Sequence, residues 1–91
     1  MKNQIPNEVR FMRAANLYAV TFACKPLEEI RAKQRDGGIR YVVPRSDRWS
    51  EEFFFSGRDK VTVKHRLSDD GGAVYPLSDF VQWVKKEVAY A

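Results

Sequence analysis

Residues 60–67 alternate without interruption: Val61, Val63, His65 and Leu67 fall on one side, and Lys60, Thr62, Lys64 and Arg66 on the other. A two-residue period of this kind belongs to a strand with one face in a core and one in water. Ser68-Asp69-Asp70-Gly71-Gly72 then supplies the residues of a hairpin loop, and Ala73-Val74-Tyr75 reads as a short return strand stopped by Pro76. Beyond Pro76 the period becomes helical, with Leu77, Phe80, Val81, Val84 and Val88 on one stripe. Ser78 is the expected N-cap, Asp79 suits the positive helix end, and Lys85 and Lys86 suit the negative one. The helix has to bury its stripe against the apolar face of the hairpin, which leaves few folds open.

The remainder is less constrained. A chain of 91 residues supports one core, so residues 1–91 are expected to form a single domain. Asn7 is available as the N-cap of a first helix that carries Glu8 in its first turn and Ala14 and Ala15 further on. Residues 17–24 are rich in aromatic and β-branched side chains and are read as a buried strand. The helical spacing of Phe11, Ala15, Tyr18 and Phe22 keeps a helix open there. A second helix is expected from Pro26, with Glu28 and Glu29 at its start and Arg31, Lys33 and Arg35 at its end, before Gly37-Gly38 stops it. Residues 39–43 form a strand ended by Pro44. Residues 46–56 are either a short helix capped by Ser46 or a strand in a hairpin with residues 60–67. The sum is an α+β fold: an antiparallel sheet of three to five strands, helices packed on one face, and a C-terminal helix.

Composition excludes more than it names. No run approaches the roughly 18 apolar residues of a membrane span, so no membrane partner is expected. The apolar run before Cys24 is interrupted by Asn16 and Thr21 and is read as core rather than as a leader. One cysteine leaves no intramolecular disulfide, and a reducing, cytoplasmic setting is expected. A single histidine and the lack of paired ligand spacing argue against a metal site. Gly37-Gly38 and Gly71-Gly72 are isolated pairs and not phosphate cradles, so no cofactor is expected. No catalytic residue is assigned. A deep pocket containing His65 and a carboxylate would revive an enzyme reading.

Three surfaces are candidates for binding. Lys60, Lys64 and Arg66 form a cationic row along the outward side of their strand. Trp83 and Tyr90 lie together at the margin of the last helix's stripe and have the character of interface anchors. Arg40, Arg45 and Arg48 alternate with Tyr41, Trp49 and the Phe53-Phe54-Phe55 run, a mixture suited to stacking. The net charge of +4 sits wholly in residues 1–35, which hold seven basic and three acidic side chains. Such an excess draws acidic partners at long range.

Two functions from different classes follow. The first is a non-enzymatic protein-binding module, a small inhibitor or adaptor that occludes a surface of a larger protein or nucleoprotein complex. Small free-standing domains without chemistry of their own are frequent among accessory proteins of phages and mobile elements that block host or defence machinery. The alternative is a nucleic-acid-binding module. It would lay the row Lys60, Lys64 and Arg66, or the helix bearing Arg31, Lys33 and Arg35, on phosphates.

Overall fold

Short alternating segments separated by turn residues give successive strands, and in this chain each strand pairs with the next. The computed structural model describes residues 5–30, the backbone of 33–35, and residues 37–65 and 72–91. Strands β1 (Lys33–Arg35), β2 (Gly38–Pro44), β3 (Ser50–Phe55), β4 (Lys60–His65) and β5 (Ala73–Pro76) form one antiparallel sheet in the order of the sequence. Helices α1 (Asn7–Phe22) and α2 (Leu77–Ala89) pack on each other and on the same side of the sheet, α1 against β2 and β3, and α2 against β4 and β5. This is the α+β architecture expected, with the C-terminal helix in place. No described helix is long and apolar enough to cross a membrane.

The first half departs from expectation twice. Residues 17–22 continue α1 and are not a strand. Phe11, Ala14, Ala15, Tyr18 and Ala19 form a buried helical stripe, and burial of that stripe outweighs the strand preference of the aromatic and β-branched residues around it. The second helix is also absent. Only the single 3-10 turn Leu27–Glu29 follows Pro26, and residues 33–35 run as β1, with Lys33 opposite Arg40 and Arg35 opposite Gly38. The basic helix bearing Arg31, Lys33 and Arg35 is therefore replaced by an edge strand at residues 33–35. Arg31 lies outside the described residues, as do Arg66, Leu67 and the loop through Gly71.

The caps differ as well. Pro6 and Pro76 occupy the N-cap positions, and no side chain caps either helix. A proline φ near −58° already suits helix entry, so the chain enters α1 at Asn7 and α2 at Leu77 without help from Asn7 or Ser78. Both helix starts are instead tied to one turn. Asn7 Nδ2 donates to the carbonyl of Arg58 at 3.1 Å, and the Leu77 amide donates to the carbonyl of Asp59 at 2.6 Å. Residues 50–55 resolve as strand and not helix, and Phe53 and Phe55 point into the core while Phe54 lies on the far face.

Hydrogen-bonded rungs alternate with open ones in an antiparallel ladder. The Leu77–Asp59 bond fixes the phase of the β4–β5 ladder: Tyr75 and Ala73 point their backbone groups at β4, while Val74 and Pro76 point away. Pro76 therefore costs the sheet no hydrogen bond. Pro44 is placed the same way in β2, and its outward carbonyl accepts from the Cys24 amide at 2.8 Å.

Gly38 is required by a close approach. A Cβ there would stand 2.6 Å from the Phe55 carbonyl oxygen and 2.7 and 2.8 Å from two ring carbons of Phe54. Gly38→Ala is expected to lower the unfolding free energy by about 2–3 kcal/mol, because backbone as well as ring has to move. Urea denaturation checks this; an unchanged midpoint would mean that the approach is relaxed at no cost.

Candidate functional site

The β4–β5 ladder ends where Val63 faces Ala73, but β4 continues to His65, which pairs with Glu51 of β3. Beside this step, under α2, lies a cleft of about 340 Å³. Glu51 and His65 line it from the sheet, Tyr75 from β5, and Asp79 and Trp83 from α2. The β3 alternation that sends Phe53 and Phe55 into the core sends Glu51 there too, so a carboxylate that is 1% exposed sits where the apolar stripe ends. Its Oε1 pairs with Nδ1 of His65, whose ring is 61% exposed and lies 5.9 Å from that of Trp49.

Burial pushes the Glu51 carboxyl above the ordinary glutamate range, and His65 and Arg45 counter only part of that cost. Arg45 closes the site from the other side. Its Nη1 donates to the Tyr18 hydroxyl, and its guanidinium lies 4.5 Å from the Phe22 ring centre, 5.0 Å from that of Trp49 and 5.5 Å from that of Tyr18. Burial, with the nearby Glu51 charge, raises the Tyr18 phenol to about 12, so it stays protonated across the physiological range. Tyr18, Arg45, Glu51 and His65 thus form a polar cluster at the end of the core where the stack of aromatic rings gives out.

The arrangement set out above as reviving an enzyme reading is therefore present in outline: His65 and two carboxylates share one cleft. Chemically, the pair can pass a proton between Glu51 and the imidazole, and Glu51 orients the ring. Among the described residues, the cleft lining contains no serine, threonine, cysteine or lysine to act as a nucleophile. Cys24 does not join it, since the Cys24 amide is bonded at Pro44 of β2, with β3 between that strand and His65. Among the described residues no group of three or more His, Cys, Asp or Glu is placed to hold a metal.

The proposed binding residues are distributed as follows. Trp83 is half-buried and packs its ring on Tyr18 at 5.4 Å, with Phe53 and Phe80 at 6.1 and 6.2 Å. It both completes the core and forms a wall of the cleft. Tyr90, 83% exposed, stands free near the chain's end and does not share the cleft. Lys60 and Lys64 lie with Thr62 on the sheet face away from the helices, together with Phe54, Arg40 and Glu52; Arg40 and Glu52 form an ion pair there. No described helix or strand covers that face. Sequence reasoning missed Glu51 and the Tyr18–Arg45 contact. The signal for Glu51 was its even spacing from Phe53 and Phe55, which counts only once the segment is read as a strand. No protein family, curated protein or solved structure matches the chain.

Because the folded state raises the Glu51 value, folding takes up a proton between the ordinary 4.5 and that raised value. Glu51's contribution to stability is thus greatest below 4.5 and falls as pH rises through the folded value. Glu51→Gln removes the ionisation. The melting temperature of the variant minus that of the wild type is expected to rise as the pH climbs from 4.5 through the raised folded value and to level off above it. A difference that stays flat with pH would show that Glu51 titrates alike in both states.

Proposed function

We propose that this chain is a non-catalytic protein-binding module, a small inhibitor or adaptor that occludes a surface of a larger complex, and that it docks through the edge of β5. One observation carries the reading. All four residues of Ala73–Pro76 are exposed, none is charged, and Val74 turns its backbone N–H and C=O outward. Natural edges are usually blunted by lysine or inward-pointing charges. Here Val74 is 62% and Tyr75 43% exposed. A strand added to this edge would form main-chain hydrogen bonds with Val74 and place alternate side chains against the cleft between Tyr75 and Trp83. Tyr75 and the half-buried Trp83 then act as anchors at the centre of the contact. The Glu51–His65 pair, with no serine, threonine, cysteine or lysine beside it among the described residues, is read as the polar floor of that contact.

A second reading rests on Lys60 and Lys64, which share the uncovered sheet face with Phe54, an arrangement of cations and an aromatic ring that suits phosphates and stacked bases. The ion pair of Arg40 with Glu52 reduces the charge of that face and makes it the weaker reading.

Val74→Pro separates the two. Proline at Val74 deletes an N–H that β4 does not use, so the fold is expected to persist, while capture of a protein partner from the native host drops by at least about tenfold. Tyr75→Ala is expected to weaken capture in the same direction. Trp83→Ala is a poorer test, because the indole also packs on Tyr18. Retained capture by folded Val74→Pro and Tyr75→Ala would refute the edge. For the alternative, a Lys60→Glu, Lys64→Glu double variant should lose nucleic-acid affinity and reduce its salt dependence. Unchanged affinity would eliminate it.

A further inference from the structure

A second concave surface lies on the outer side of the helical layer. α1 and α2 leave between them a groove of about 300 Å³. Its floor is Ala14 and Val84, both buried, and Val81 and Leu17 form its walls. Arg10 and Arg13 of α1 and Lys85 of α2 stand around it, and among the described residues no carboxylate lines it. This groove is separate from the cleft beside β5, since Val81 and Trp83 point about 160° apart around α2. Leu17 is 42% exposed, and Val20, one turn further along α1, is 65% exposed. Arg13, Leu17 and Val20 follow i, i+4, i+7 spacing, so apolar surface and positive charge continue along one line for about 15 Å from Arg10. The same helix lies in the third of the chain that holds the whole charge excess.

We infer that the α1–α2 groove receives an acidic amphipathic helix of a partner protein. This rests on the protein-binding reading but uses a different surface from the β5 edge. Charge complementarity selects the occupant. Three cations with no carboxylate between them among the described lining residues repel a basic segment and attract an acidic one, and the apolar floor suits an apolar side chain such as leucine on the incoming face. A groove about two to three turns long matches helix-in-groove recognition, in which residues at i, i+3 or i+4, and i+7 enter the groove. A flexible polyanion meets the charge requirement but leaves the floor of Ala14 and Val84 and the walls of Leu17 and Val81 unfilled.

The test uses a synthetic helical peptide of about 15 residues with leucine at i, i+4 and i+7 and glutamate at most other positions, beside a counterpart with lysine for glutamate. Binding is read by fluorescence anisotropy at low and physiological salt. The acidic peptide is expected to bind and the basic one not. Arg13→Glu with Lys85→Glu should weaken the acidic peptide at least about tenfold and admit the basic one. Leu17→Asp should weaken it comparably. These side chains are on the surface, and circular dichroism verifies that each variant is folded. Val74→Pro should leave peptide binding untouched, so that failure of the β5 reading and failure of the groove are told apart. The inference is overturned if neither peptide binds, if both bind alike, or if the charge-reversed variant keeps its preference for the acidic peptide.

Discussion

One phenylalanine joins all the layers. Phe11 of α1, 0% exposed, stacks on Phe55 of β3 at 5.3 Å, meets Tyr41 of β2 edge-on at 5.8 Å and touches Phe80 of α2 at 5.6 Å. Aromatic rings bury large areas and favour such offset and edge contacts, so this ring sets how close α1 can lie to the sheet and where α2 must lie beside it. Both helices are thereby held on one face of a five-stranded meander, and no described helix packs on the opposite face. The turn that receives Asn7 and Leu77 fixes the two helix starts and reinforces the same placement.

The features that bear on function lie where this aromatic packing runs out. At the far end of α1 the core passes from Phe11 to Tyr18, Phe53 and Trp83, and then to Arg45, Glu51 and His65. A buried carboxylate is tolerated there because imidazole and guanidinium are near enough to offset part of its desolvation. The cleft follows from the unequal reach of β4 and β5, and the groove on the other side of α2 follows from small Ala14 facing Val81 and Val84. Each recess arises from a particular side chain or strand end, and the two differ in charge: Glu51 and Asp79 line the first, and Arg10, Arg13 and Lys85 the second.

Legibility tracked how local the determining contacts are. The strand at 60–65, its return at 73–76 and the helix at 77–89 are visible in the sequence because strict alternation and a helical stripe both reflect a single buried face. The second half of α1 reads as strand from Leu17 onward because Tyr18, Val20, Thr21 and Phe22 carry strand preference, while the deciding burial against Phe53 and Trp83 is distant in sequence. At residues 26–35 the ordering of acids before bases imitated a helix dipole pattern. The stronger local signal was Asp36-Gly37, the two residues between the paired Arg35 and Gly38, which is a hairpin sequence. Of the candidate site, Trp83 and His65 were singled out from sequence, but Glu51 and Arg45 acquire their partners only through cross-strand and helix–sheet contacts.

Amide hydrogen exchange of the chain, free and bound to its captured protein partner, decides whether the β5 edge is the docking surface. In the free protein the Val74 amide points away from β4 and should exchange rapidly, whereas those of Val61 and Val63 inside the sheet should be protected. On binding, new protection is expected at Val74, with the edge at Lys33–Arg35 unchanged. Protection confined to that opposite edge, with Val74 still exchanging freely, would contradict it.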